Sequence, residues 1–69
     1  LNQSLFDILE KYGIKVRVKW YGLDAKILNK KEILALNDKI KPYRIGINGG
    51  YIWLEDECGN VIDDADFND

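Results

Sequence analysis

The segment Asp64-Ala65-Asp66-Phe67-Asn68 carries oxygen donors at alternate positions, the spacing with which a calcium loop opens. Such a loop needs glycine at its sixth position, where the chain turns sharply, and here that position is Asp69. The segment therefore reads as charged chain rather than a metal site. Adjacent carboxylates such as Asp63-Asp64 are common on surfaces, and the expectation is that nothing desolvates this pair for acid–base work. Cys58, the single cysteine, lies beside Glu57 and near Asp56, and neighbouring anions disfavour a reactive thiolate.

Histidine is absent from all 69 residues, which removes the commonest general base, the Ser-His and Cys-His pairs and most zinc sites. The glycines of Gly46-Ile47-Asn48-Gly49-Gly50-Tyr51 lie between two strand-like runs, whereas a phosphate-binding loop must open a helix. The expectation is a chain that is not an enzyme and takes no cofactor or metal.

Charge is the next chemical resource. Formal net charge is −2, yet residues 1 to 54 hold ten bases against five acids, and residues 55 to 69 hold seven acids and no base. Such polarity reads as an interaction tail, or a tail that folds back on a basic body. A lone cysteine fits a reducing, cytoplasmic setting, and no apolar run is long enough to span a bilayer.

The elements that would position these charges follow from hydrophobic period. Ser4 reads as a helix N-cap with Asp7 three residues later. Leu5, Ile8, Leu9 and Tyr12 then form one stripe, closed by Gly13. In residues 14 to 21, Ile14, Val16, Val18 and Trp20 alternate with Lys15, Arg17, Lys19 and Tyr21, the pattern of a half-buried strand. Gly22-Leu23-Asp24 offers a turn, and Ala25 to Leu28 a short return strand. Asn29 with Glu32 marks a second helix start, Ile33, Leu36 and Ile40 its buried stripe, and Pro42 its end. Asn48-Gly49-Gly50 between two apolar runs predicts a tight hairpin, and Gly59 a further turn before a strand at Val61-Ile62.

Helix, strand, turn, strand thus occurs twice. The expected fold is α+β: a two-layer sandwich with helices near 4–12 and 30–41 on one face of an antiparallel sheet of four to five strands. The order is αββαββ, with αβαββ as the alternative if 24–28 is coil. Residues 1–62 form the single domain, and 63–69 an acidic C-terminal arm, solvated and anchored by Phe67. Only about 60% of the unfolded surface is buried at this size, so stability is marginal.

Alternation then fixes an exposed face bearing Lys15, Arg17, Lys19, Tyr21, Lys26, Arg44, Tyr51 and Trp53. Tyr, Trp and Arg are enriched at protein–protein hot spots, and the expected partner-binding residues are Arg17, Lys19, Tyr21, Arg44, Tyr51 and Trp53. The expected function is a small cytoplasmic module acting through protein–protein contacts, of a type common among bacterial or phage accessory proteins. One alternative is a nucleic-acid-binding domain using the same face, with aromatics stacking bases and cations tracking phosphates. Another is self-association as a homodimer, which would enlarge a marginal core.

Overall fold

The structure, a computed structural model, describes residues 4–67; of Trp20 and Lys26 it describes the backbone alone. Chain order is α1 (Ser4–Lys11), β1 (Arg17–Trp20), β2 (Leu23–Lys26), α2 (Lys30–Ala35), a 3-10 turn (Leu36–Asp38), β3 (Arg44–Asn48), β4 (Tyr51–Glu55) and β5 (Val61–Asp66). The α+β class is as the periodicity implies, with two helices and antiparallel strands throughout. Among the described residues no helix is long and apolar enough to cross a membrane.

A single sheet of four to five strands does not form. The strands make a two-stranded sheet, β1-β2, and a separate three-stranded sheet, β3-β4-β5. The reason lies at the outer edge of β3. Ile45 N–H donates to Asn37 Oδ1 at 2.7 Å, and Asn37 Nδ2 donates to the Ile45 carbonyl at 3.0 Å. The Asn37 amide therefore occupies the rung on which an added strand would pair, a common way of protecting an edge.

The two-layer core belongs to the three-stranded sheet. Helix α1 packs on β4 and β5, and α2 on β3. Leu5, Leu9, Ile33, Ile45, Ile52 and Leu54 are fully buried between these layers. Each such side chain contributes about 1.5–3 kcal/mol relative to exposure. Among the described residues the hairpin β1-β2 makes no comparable contact with another element. Val16 at its root joins the core, whereas Leu23 is 71% and Ile27 44% exposed. The described residues extend 41 × 23 × 21 Å.

Helix ends follow local chemistry in two of four cases. The Gly13 amide bonds to the Glu10 carbonyl at 3.0 Å and the Ile14 amide to the Leu9 carbonyl at 2.8 Å. With Gly13 at φ 71°, this is the Schellman stop that a glycine there permits. Asn29 Oδ1 accepts the Glu32 amide at 3.2 Å, as its position implies. The second helix gives way at Leu36 to a 3-10 turn instead of running to 41, and this tightening carries Asn37 to Ile45 while Leu36 and Ile40 stay buried. Ser4 is not a cap but already helical, and the Leu5 amide is satisfied from far away in sequence, by Asp63 Oδ2 at 2.8 Å.

Two further corrections concern turns and the chain's acidic end. The first hairpin turns at Tyr21-Gly22, not Gly22-Leu23-Asp24. Both residues have positive φ, 51° and 77°, the condition for a two-residue type I′ connection. The expected arm 63–69 is instead strand through Asp66, paired to β4, with Phe67 buried and its amide on the Gly50 carbonyl at 2.7 Å. A bulge leaves Ile62 unpaired between Val61, opposite Glu55, and Asp63, opposite Leu54. Asn68 and Asp69 lie outside the described residues.

Candidate functional site

The six residues singled out by sequence divide into two groups. Arg44, Tyr51 and Trp53 lie on the outer face of the three-stranded sheet, away from the helices. Arg17, Lys19 and Tyr21 lie on the β1-β2 hairpin, which is a separate sheet. Lys15 is exposed beside Arg17; the side chains of Trp20 and Lys26 lie outside what is described.

Alternation in β4 builds the outer face. Ile52 and Leu54 are buried toward the helices, which turns Tyr51, Trp53 and Glu55 outward. Tyr51 and Trp53, two positions apart, stack with ring centroids 5.4 Å apart and planes 26° apart. The indole lies across Gly46, its partner on β3, and a Cβ there would run into the ring. Gly46 is therefore what lets the indole lie flat on the sheet.

Carboxylates hold the polar ends of both rings. Trp53 Nε1 donates to Glu55 Oε2 at 2.8 Å, and Arg44 Nη1 donates to the same oxygen at 3.3 Å. Tyr51 Oη donates to Asp64 Oδ2 at 2.8 Å. This bond first, with burial and then the charges of Asp64 and Asp66, holds the Tyr51 phenol above its usual value of 10.0. The face thus carries one cation, Arg44, against the three carboxylates Glu55, Asp64 and Asp66. It is an acidic aromatic face, not the basic one that alternation in β1 and β3 implies.

The hairpin group is differently made. Arg17 places its guanidinium 5.0 Å from the Phe67 ring centroid, and Phe67 meets Phe6 edge-on at 6.2 Å. Lys19 pairs with Asp24 across the hairpin at 3.3 Å, an exposed contact. Tyr21 is 87% exposed at the turn. Below the hairpin, an open groove of about 470 Å³ is floored by Leu9, Ile14 and Val16 and edged by Glu10 and Lys15.

The remaining candidate chemistry is absorbed by structure. Asp64 and Asp66 stand in an extended strand rather than a loop curled around an ion. Among the described residues no three His, Cys, Asp or Glu side chains converge as a metal cluster. Asp56 organises the β4-β5 turn, its Oδ1 accepting the Cys58 and Asn60 amides at 2.9 Å each. The Asn60 amide foremost, with the Asn60 side chain and the Cys58 and Gly59 amides, holds that carboxyl below its usual 3.8. Cys58 is an exposed free thiol in this turn.

Sequence reasoning missed Glu55, Asp64 and Gly46 as parts of the aromatic face. Gly46 carried a signal, since glycine inside a strand marks a close approach. The acids carried none while they counted as a tail. No family model, curated protein or solved structure matches the chain.

Proposed function

We propose that this chain is a small non-catalytic binding module that works through protein–protein contact on the outer face of β3-β4-β5. The observation that carries the reading is the Tyr51-Trp53 stack, seated over Gly46 and fixed at its polar ends by Asp64 and Glu55. Aromatics already held in place lose little conformational freedom on binding, the property that makes Tyr and Trp effective anchors. Arg44 and its Glu55 partner form a polar edge beside them. A nucleic-acid reading of this face has less support, because Glu55, Asp64 and Asp66 would stand against phosphates. The single exposed cysteine suits a cytoplasmic setting.

The test is affinity capture with three baits: the intact chain, Trp53→Ala and, away from the face, Lys31→Ala. A protein held by the intact chain and by Lys31→Ala but lost by Trp53→Ala, with unchanged far-UV circular dichroism, supports the reading. Retention by the folded Trp53→Ala bait sinks it.

A further inference from the structure

We propose that the partner of this face is the β1-β2 hairpin of a second copy of the chain. The inference rests on the reading of the Tyr51-Trp53 face as a docking surface and adds the identity of what docks there.

Charge complementarity within one chain is the first argument. The outer sheet face sets Glu55, Asp64 and Asp66 against the single cation Arg44. The hairpin presents Arg17 and Lys19 at alternate positions of β1, with the exposed Lys15 on the segment that leads into it. Within β1 the side chains of Arg17 and Lys19 stand about 6.6 Å apart on one side of the strand, a spacing that suits a surface of alternate carboxylates. Two like faces would repel, so the pairing that charge favours is hairpin against sheet.

Shape is the second argument. Among the described residues the hairpin's closest element contacts are between its own two strands, with Arg17 resting on Phe67 at its root, so its turn projects from the body of the molecule. At its turn stands Tyr21, an aromatic held at φ 51° and 87% exposed, where glycine or asparagine is the usual occupant. Residues kept in such backbone conformations cluster at binding sites. Leu23, 71% exposed, adds apolar surface next to it. An exposed aromatic tip with a cationic flank has its counterpart in an aromatic platform with an anionic flank. The surface pair Lys19-Asp24 is solvated and exchanges readily for an intermolecular one.

Sedimentation equilibrium of the full chain from micromolar to near-millimolar concentration tests this, with three variants: Lys15→Glu/Lys19→Glu, Asp64→Lys and Trp53→Ala. The mass of the wild type should rise above 8.0 kDa with concentration and fall back in high salt. Each charge-reversal variant alone should associate about tenfold or more weakly. An equimolar mixture of the two reversal variants should recover association, because only the hairpin of one and the sheet of the other then carry matching signs. A wild type that stays monomeric throughout, or a mixture that recovers nothing, overturns the proposal. So does a labelled oligonucleotide bound by the monomer and released by Lys15→Glu/Lys19→Glu, which would assign the hairpin to nucleic acid. A monomeric wild type that still captures another protein through Trp53 defeats this inference alone. Association unaffected by Trp53→Ala defeats the reading of the sheet face with it.

Discussion

The molecule contains two hairpins with two-residue turns, each following a helix, and they meet different fates. In β3-β4, inward positions fall on Ile45, Ile52 and Leu54, all fully buried beneath α1 and α2. In β1-β2, the apolar positions include Val18, Leu23, Ala25 and Ile27, none of which belongs to the core. The difference is not strand propensity, since both hairpins are rich in β-branched and aromatic residues. It is what lies alongside. The second hairpin gains a third strand, β5, on one edge and the Asn37 clamp on the other. Among the described residues the first reaches the core only at its root, through Val16 and the flanking Ile14 and Leu28. A two-stranded sheet is marginal on its own, and a third strand with a covering helix turns it into a folding unit.

The sharpest way to break this contrast is to shorten one apolar side chain in each hairpin. Ile52→Ala should cost about 2–5 kcal/mol, enough to unfold so small a domain. Val18→Ala should cost under about 1 kcal/mol, the range of sites outside the core. Thermal and urea unfolding of both variants measures this. Equal losses would show that the first hairpin is part of the core after all.

A second comparison sets an acid from each region side by side. Asp63, 8% exposed, accepts the Leu5 amide at the start of α1 across 58 residues and also accepts the Asp64 amide at 2.9 Å. Asp63→Ala leaves a buried amide at Leu5 without its acceptor and should destabilise by about 1–3 kcal/mol. Asp24→Ala removes only the exposed pair with Lys19 and should change stability by about 0–1 kcal/mol. Asp63→Asn, which keeps an acceptor oxygen, should fall between them. Parity between Asp63→Ala and Asp24→Ala in urea melts would refute the buried cap.

These residues also show where sequence was legible. Local chemistry was: Gly13, Asn29 and the Asn48-Gly49-Gly50 turn act through neighbours within a few positions, and each stands where its residue type implies. The inward register of Ile45, Ile52 and Leu54 was legible for the same reason, since alternation is a local property. The start of β5 at Val61-Ile62 was legible from the turn at Gly59, but its continuation was hidden because the next inward positions read Asp63 and Ala65, and a buried aspartate breaks the apolar period. Only its long-range partner, Leu5 N–H, makes that aspartate an inward residue. The candidate site was half legible for a related reason. Alternation placed Tyr51 and Trp53 outward, but most of the charge of their face comes from residues 63 to 66, the part of β5 that no local pattern announced.

The smallest expected effect tests that pairing directly. Tyr51 donates to Asp64, and this bond is the largest cause of a phenol held above 10.0. Because the raised value belongs to the folded chain, the unfolded chain loses its phenolic proton first as pH climbs. The contact therefore contributes stability below pH 10.0, and that contribution is lost as pH rises through the folded value. Absorbance titration of the wild type minus that of Tyr51→Phe isolates the curve of this one tyrosine. It should ionise later than a free tyrosine, and Asp64→Ala should bring it back toward the ordinary value by removing both the acceptor that holds the phenolic proton and the charge that opposes ionisation. Ordinary titration of Tyr51 in the intact, folded chain would mean that Asp64 does not stand opposite it. The second hairpin would then lack the acidic strand that distinguishes its face from the first.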